Sequence, residues 1–301
     1  MKRERSHRDF LKTGILLGAG VLVGRTGALA KTSKFLITET PYVSVVRGDD
    51  YYLNAVKAVD ALGGMKRFVG RNSTVGLLVN SRYNKPGTFV KPEIVIAVLD
   101  MCFAAGSKKI ISLENVASSY WRLSSFSINH SDVIDAIQHA GNDYKKVKIP
   151  DGVSLKEAEV ESALLECDTF INIPIFKQHE GVRITGCLKN VMGLTSSCTN
   201  DFFHNGSHKG GGYADVPFLS QCIADANLIR KPDLCIADAT EYITSSGPFG
   251  PGNVSKAKKV AVDAVGAAIL RYDPMVILTI RMAHKHGLGE MDLKKVNIRE
   301  S

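Results

Sequence analysis

The chain has 301 residues, of which 45% are hydrophobic and 23% are charged. A chain of this length and composition is long enough to bury a substantial core, so the composition argues against an intrinsically disordered protein. The formal net charge is +8, but half of it lies in the first 30 residues, and no run of lysine and arginine is interleaved with aromatic residues. The charge therefore predicts neither a nucleic-acid partner nor a polybasic membrane patch.

Residues 1–30 have the features of an export signal. A basic segment leads into an apolar stretch over residues 15–23, and Ala28-Leu29-Ala30 follows as a small-x-small cleavage pattern. The apolar stretch is too short to span a membrane, so we expect no stable span after cleavage. His7 stands where a twin-arginine signal has its first arginine, which leaves the twin-arginine and the general secretory routes open. The sequence thus predicts a periplasmic or extracellular protein with its domain over residues 31–301.

Short apolar runs alternate with amphipathic segments along the rest of the chain. The pattern predicts strands over residues 43–46, 75–79, 109–113, 145–149, 169–173, 234–237 and 260–262, and helices over residues 51–62, 92–105, 132–140, 155–165, 218–229, 263–270 and 275–286. Apolar strands without alternation indicate burial on both faces. We therefore predict an α/β fold with a mostly parallel sheet and helices on both faces, in a single compact domain with a loop-rich insertion around residues 194–216.

Polar residues follow the strand predicted over residues 169–173. Lys177 and His179 lie two positions apart in an extended segment, so their side chains point to the same side. Open parallel sheets bind their ligands at the carboxyl ends of the strands, which is where this pair is expected. The pair fits an anion clamp or an acid/base pair, and a solvated loop is the alternative.

A second polar segment runs from Thr185 to Gly193. If it begins a helix, Thr185, Lys189 and Asn190 lie near one another, while Gly186 and Gly193 allow a close backbone approach to a ligand. Free amides at the helix start, together with Lys189, would suit a phosphate or a carboxylate. Helix capping by Thr185 and a solvent-facing Lys189 are the simpler alternative.

Later polar residues add weaker signals. His204 and His208 would suit a metal only if their glycine-rich loop were helical, and no third ligand is in view, so we predict no metal site. Six cysteines without any C-x-x-C pair indicate mostly buried thiols, with one disulfide at most, rather than a metal or iron–sulfur site. Asp238 ends an apolar strand and is placed to reach the crevice. Gly247 and Gly250 belong to a rigid loop of the kind that borders ligands, although it is not a phosphate loop.

Together these motifs resemble the domain of unknown function 362 family, whose members are sometimes joined to ferredoxin-like iron–sulfur modules. The resemblance rests on Ile171-Asn172-Ile173-Pro174, Lys177-x-His179, Thr185-Gly186, Leu188-Lys189-Asn190-x-x-Gly193, His204, Asp238, Gly247-Pro248-x-Gly250, Val262-Asp263-Ala264-Val265-Gly266-Ala267 and Gly287-Leu288-Gly289-Glu290. It implies that Lys177, His179, Lys189, Asn190, His204 and Asp238 are recurring polar positions of the family. The chain lacks the C-x-x-C-x-x-C run of a ferredoxin module, so any iron–sulfur cluster would belong to a redox partner.

Two functions fit these residues. In the first, the chain is an enzyme that acts on a small anionic or carbonyl-bearing molecule. Lys177 and Lys189 hold negative charge, or one of them acts as a nucleophile, and His179 moves a proton. Asp238 or His204 orients that histidine. In the second, the same residues bind a ligand or cofactor without transforming it, in an accessory protein of an exported iron–sulfur redox system. The sequence leaves the cofactor, the substrate and the reaction open.

Overall fold

A computed structural model describes residues 42–244, the backbone of the strand at 254–260, and residues 263–301. The predicted export signal and the loop with Gly247 and Gly250 lie outside the described residues. The helices, numbered in chain order, are α1 (Tyr51–Asp60), α2 (Pro92–Ala105), α3 (Ser118–Trp121), α4 (Ser131–Asp135), α5 (Ser162–Glu166), α6 (Cys187–Asn190), α7 (Ser197–Asn205), α8 (Val216–Ala226), α9 (Asp263–Ile269) and α10 (Leu278–Lys285). Short 3-10 helices lie at Met65–Arg67, Ser125–His130, Val191–Leu194, Pro274–Val276 and Leu293–Lys295. The strands are β1 (Tyr42–Val45), β2 (Thr74–Val79), β3 (Lys109–Ser112), β4 (Gln138–His139), β5 (Tyr144–Lys148), β6 (Glu157–Glu161), β7 (Thr169–Ile173), β8 (Lys177–His179), β9 (Arg183–Thr185), β10 (Leu234–Cys235), β11 (Asp238–Ile243), β12 (Val254–Val260) and β13 (Asn297–Glu300).

The central sheet is parallel throughout its described strands. Its order is β10-β7-β2-β3-β4, and every neighbouring pair runs in the same direction. Smaller two-stranded sheets are formed by β1 with β13, β5 with β6, β8 with β9, and β11 with β12. This arrangement confirms the predicted α/β fold with a mostly parallel sheet.

The two faces of the central sheet enter different hydrophobic cores, because successive side chains of a strand point to opposite sides. Val75 and Leu77 of β2 pack with α1 and α2, whereas Leu78 packs in the core that includes α8. Strand β7 divides in the same way, with Ile171 in the first core and Phe170 in the second. Both faces therefore carry helices, which explains the continuous apolar runs of β2 and β7.

The helix predicted over residues 155–165 is wrong. Residues 157–161 of that segment form β6, which pairs with β5 in an antiparallel hairpin and is followed by the short α5. Ala158 and Val160 of β6 are buried, whereas Glu157 is exposed and forms an ion pair with Lys146 of β5. Cross-strand pairing of this kind overrides the intrinsic helix propensity of alanine, glutamate and leucine.

Two other segments also differ from the sequence-based expectation. The helix predicted over residues 132–140 ends after one turn, and its second half becomes β4, which pairs with β3 at the edge of the central sheet. The insertion around residues 194–216 contains α7 and is not entirely loop. The Ser196 hydroxyl caps α7 by accepting from the Thr199 amide, and the fully buried Phe203 anchors the helix in the core.

Asp225 of α8 holds the segment that leads into β6. Its Oδ2 accepts from the amides of Val153, Ser154 and Leu155 at 2.9, 2.7 and 2.8 Å, and its Oδ1 accepts from Gln221 Nε2 at 2.8 Å. Burial acts to raise the pKa of Asp225, but the hydrogen bonds from Leu155, Gln221 and the neighbouring amides outweigh it and lower the pKa. The carboxylate is therefore ionised and joins the two segments.

We expect Asp225→Ala to lower the free energy of unfolding by about 2–4 kcal/mol, because three backbone amides lose their acceptor. Urea denaturation at pH 7 measures the loss. The matched control is Asp151→Ala, at an exposed position, for which we expect a change below about 0.5 kcal/mol. Equal stability of the two variants would contradict the role of Asp225.

Candidate functional site

A cavity of about 270 Å³ lies at the carboxyl edge of the central sheet. Asn80 directly follows β2, Glu114 lies two residues beyond β3, and β8 follows β7, so the parallel direction of these strands brings their polar residues together. We call this cavity the lysine pocket. The predicted residues that line it are Lys177, His179, Thr185, Lys189, Asn190, Gly193 and His204.

The hairpin of β8 and β9 supplies one wall of the lysine pocket. Lys177 pairs directly with Thr185 across this hairpin, so the two side chains share a face. Only 2% of Lys177 is exposed, and its ammonium donates to the Thr88 carbonyl oxygen at 2.7 Å. The same ammonium lies 4.9 Å from the centre of the Tyr83 ring, a cation–π contact. Lys177 is therefore fixed inside the protein rather than solvated in a loop.

A chain of side-chain amides holds α6, which carries Lys189, against the strand ends. Asn80 Nδ2 donates to Asn190 Oδ1 at 3.0 Å, and Asn190 Nδ2 donates to Asn172 Oδ1 at 2.8 Å. Asn172 Nδ2 then donates to the Cys187 carbonyl oxygen at 2.9 Å. Since Asn80 follows β2 and Asn172 lies in β7, the chain fixes α6 relative to both strands.

The start of α6 is capped from within the protein. The amides of Cys187 and Leu188 donate to the two carboxylate oxygens of the buried Asp263. The expectation that free amides at this helix start bind an anion is therefore wrong, because Asp263 already occupies them. Gly186 serves this contact and does not line the pocket, since a Cβ atom there would lie 2.4 Å from Asp263 Oδ1.

Two amines, those of Lys177 and Lys189, line the lysine pocket. Burial, reinforced by repulsion from Lys189, lowers the pKa of Lys177 to about 7. Burial lowers the pKa of Lys189 to about 8. Within the described ranges, no carboxylate forms an ion pair with either amine. Burial thus favours the neutral form of both amines, and an anion bound beside them would favour their charged forms.

His179 is held as a neutral ring. Burial lowers its pKa to about 3, and repulsion from Lys189 and Lys177 adds to the effect. Its Nδ1 accepts from the amides of Gly181 and Val182 at 3.2 and 3.4 Å, so the proton of the neutral ring is on Nε2. Nε2 lies 3.3 Å from the Tyr213 hydroxyl. Near neutral pH the ring is therefore uncharged, and the proton transfer expected from the sequence stays a prediction.

Two buried oxygen atoms at the lysine pocket have no hydrogen-bond partner in the part of the chain that the structure describes. They are Oγ1 of Thr185, a residue only 4% exposed, and Oδ1 of Asn80. Buried polar atoms are almost always paired, so a ligand or ordered water is expected to reach both. Thr185 does not cap α6, whose N-cap is Gly186.

Asp238 is not brought to the lysine pocket. It is fully buried, and its Oδ2 accepts from the Lys91 amide at 2.9 Å. Its Oδ1 accepts from the amide and the hydroxyl of Thr240 at 2.8 and 2.7 Å. These bonds hold the start of α2 against β11. Asp238 therefore supports the fold and does not orient His179 as the sequence suggested.

Glu114 and Asn80 line the lysine pocket but were missed by the sequence-based prediction. Burial raises the pKa of Glu114 to about 7, and the nearby Arg82 acts in the opposite direction. The signal was available, because Asn80 and Glu114 are the first polar residues after the strands predicted over residues 75–79 and 109–113. Lys177 was predicted because it lies beyond the carboxyl end of a strand, and Asn80 and Glu114 lie in the same kind of position.

The described residues contain no group of three or more His, Cys, Asp and Glu side chains that could hold a metal ion. Helix α7 includes His204 but ends at Asn205, so His208 does not continue the helical spacing. All six cysteines are free thiols, four of them buried. Among the described helices, none has the length and apolar character needed to cross a membrane.

The family model for the domain of unknown function (DUF362) matches residues 75–268, which include every described wall of the lysine pocket. The chain belongs to the DUF362 family. This match confirms the resemblance seen in the sequence motifs.

Similar proteins include one curated relative and two solved structures. The thylakoid-associated protein sll1697 of Synechocystis sp. is 25% identical over 268 residues, which cover 82% of this chain and 80% of that protein. A Thermotoga maritima protein of known crystal structure is 14% identical with a TM-score of 0.44, over 79% of this chain and 60% of the other. The lactate racemase apoprotein of Thermoanaerobacterium thermosaccharolyticum is also 14% identical with a TM-score of 0.44, over 82% and 56%. The chain thus spans about three fifths of the length of these two solved chains.

The lowered pKa values predict that the pocket amines are reactive near neutral pH. At pH 7.5 a large fraction of Lys177 is unprotonated, whereas an ordinary lysine is almost fully charged. Reductive methylation with formaldehyde, followed by peptide mass spectrometry, should therefore modify Lys177 at pH 7 to 8 and lose this reaction below pH 6. The exposed Lys66 serves as the reference. If Lys177 is modified only at pH values where Lys66 reacts, its pKa is not lowered.

The lowered pKa of Lys177 also predicts how the free energy of unfolding depends on pH. Because the pKa of Lys177 is about 7 in the folded protein and 10.5 in its ordinary state, the unfolded chain binds more protons between these values. Folding is therefore opposed by the buried charge below about pH 7. We expect Lys177→Met to raise the free energy of unfolding by about 3 kcal/mol at pH 6 and by progressively less towards pH 10. If the increase in the free energy of unfolding does not depend on pH, or if Lys66→Met gives the same increase, the buried charge of Lys177 does not oppose folding.

Proposed function

We propose that the chain is an exported enzyme that acts on a small anionic or carbonyl-bearing molecule in the lysine pocket. The observation that carries the proposal is the pair of desolvated amines, Lys177 and Lys189, in one cavity without an ion-pairing carboxylate in the described ranges. Clusters of titratable groups with perturbed pKa values in a cavity are typical of active sites. The export signal predicted over residues 1–30 supports action outside the cytoplasm.

The two lysines differ in what they can contribute. With a pKa of about 8, Lys189 is mostly charged at neutral pH and is suited to bind a carboxylate or a phosphate. With a pKa of about 7, Lys177 is present in large part as a neutral amine, which can attack a carbonyl carbon or accept a proton. The hydroxyl of Thr185 is available to donate to the same ligand, and the amide oxygen of Asn80 is available to accept from a donor group of that ligand.

Other polar residues of the pocket position the ligand. The Nε2–H group of His179 is directed by its contact with Tyr213, so His179 shapes the wall without changing its charge near neutral pH. His204 lies on the same rim, 6.0 Å from the Tyr213 ring centre. Glu114, with a pKa of about 7, is a carboxyl group that can donate or accept a proton near neutral pH.

Anion binding is tested by calorimetry with phosphate, pyruvate and gluconate. A bound anion stabilises the charged amines and raises their pKa values, so binding at pH 7.5 should take up protons from the buffer. Titrations in buffers with different ionisation enthalpies measure this uptake. We expect Lys189→Met to weaken binding by about tenfold or more, whereas Lys66→Met leaves it unchanged. If Lys189→Met and Lys66→Met bind the anions with equal affinity, Lys189 is not part of an anion site.

Catalysis is tested separately with pyruvate and other oxo acids. Borohydride reduction should trap an adduct on Lys177 if its amine attacks the carbonyl group, and exchange of substrate hydrogen for deuterium should occur if the amine acts as a base. Lys177→Met should abolish either reaction while retaining the fold. Binding that persists without adduct, exchange or turnover would instead support the alternative, a ligand-binding accessory protein of an exported iron–sulfur redox system.

A further inference from the structure

A larger cavity of about 890 Å³ adjoins the lysine pocket. Arg82, Glu114, Gly193, Asn200 and His204 line both cavities, so the two spaces meet at these residues. The larger cavity extends away from the lysines, neither of which lines it. A ligand whose anionic end lies in the lysine pocket therefore has room to continue past Glu114.

Side-chain amides and hydroxyl groups form most of the polar lining of the larger cavity, which we call the asparagine cleft. The amides belong to Asn84, Asn115, Asn142, Asn200 and Asn205. Hydroxyl groups of Ser119 and Ser197 also line it. Each amide offers two donors and one acceptor oxygen, a set that matches alcohol hydroxyls, which both donate and accept. The cleft is therefore suited to a chain that bears hydroxyl groups.

Charge separates the asparagine cleft from the lysine pocket. Lys177 and Lys189 line only the pocket and Asp201 lines only the cleft, whereas Arg82 and Glu114 line both spaces. A second anionic group on the ligand would be repelled where it lies beside Asp201. The two spaces together thus favour a molecule with one anionic end and an uncharged polar remainder.

The residues at the junction are held in place before a ligand binds. Asn200 lies on α7, which is fixed by the Ser196 cap and by the buried Phe203. The Glu114 carboxyl group rests against Gly193, where an added Cβ atom would lie 2.5 Å from Oε2. A junction on rigid elements reduces the ordering cost of binding.

We propose that the ligand of the lysine pocket is a polyhydroxylated anion, a sugar acid or a sugar phosphate. Its anionic head lies between Lys177 and Lys189, and its hydroxyl-bearing chain lies in the asparagine cleft, with Glu114 bonded to a hydroxyl at the junction. This inference rests on the proposed function and adds the substrate class to it. In the same pocket the unpartnered Thr185 hydroxyl can donate to this head, and the Asn80 oxygen can accept from the first hydroxyl of the chain.

The experiment compares four probes that combine two anionic heads with two chains. Gluconate and hexanoate are carboxylates with a polyol and an alkyl chain, and sorbitol phosphate and hexyl phosphate are the corresponding phosphates. Calorimetry on the full folded protein measures each dissociation constant. We expect the polyol probe to bind about tenfold more tightly than its alkyl partner for at least one head, and that head identifies the anionic group.

Substitutions locate the preference. Two variants, Asn200→Leu and Asn115→Leu, should each reduce the preference for the polyol probes about threefold or more, and the affinity for the alkyl probes should stay the same. Asn115 lies at an exposed position. Asn297→Leu, at an exposed position of β13, is the matched control and should keep the preference. Lys189→Met should weaken all four probes alike. Since Asn115 is exposed, its variant tests the cleft even if Asn200→Leu does not fold.

The two proposals fail in different ways. If the alkyl probes bind as tightly as the polyols and Lys189→Met still weakens them, the polyhydroxylated ligand is excluded and the anion pocket stands. If both cleft variants retain the full preference, the cleft is not the hydroxyl site and the inference is overturned. If no probe depends on Lys189, the proposed function fails together with the inference.

Discussion

The hydrogen-bonded chain of Asn80, Asn190 and Asn172 is the interaction on which the candidate site depends. It joins the ends of β2 and β7 to α6, and its members share partners, so the loss of any one amide leaves another buried group unpaired. Asp263 completes the arrangement from the other side by capping α6. The position of Lys189 is therefore determined by buried polar bonds and not by a solvated surface helix.

This polar scaffold makes an energetically unfavourable arrangement of charge possible. Burying Lys177 beside Lys189 without an ion-pairing carboxylate in the described ranges opposes folding, as the lowered pKa values of both amines express. The two hydrophobic cores on either face of the sheet, and buried carboxylates such as Asp225, stabilise the fold and offset this cost. Residues that oppose folding and lie together in a cavity are more readily explained by ligand chemistry than by structural support.

The fold could be predicted wherever local pattern and tertiary environment agree. Strands β2 and β7 and helix α2 have apolar runs bounded by clear breakers, and they form as expected. The prediction failed for β6, where alternating glutamates also fit a helix, because pairing with β5 decides between the two structures. The residues of the candidate site also divide into those that local sequence predicts and those that tertiary contacts decide. Lys177 and Lys189 were found from motif and position, whereas Asp238, which looked equally suitable, is occupied by the Lys91 amide and Thr240.

The sequence by itself determined the parallel α/β architecture and the family, since apolar periodicity and motif order are local properties of the chain. It also placed Lys177 and His179 beyond a strand end. Only the tertiary structure decided which polar residues share a cavity, which amides are already occupied, and how far each titratable group is buried. These properties arise from contacts between segments distant in sequence, such as Asn80 with Asn190 and Cys187 with Asp263, and spacing along the chain does not encode them.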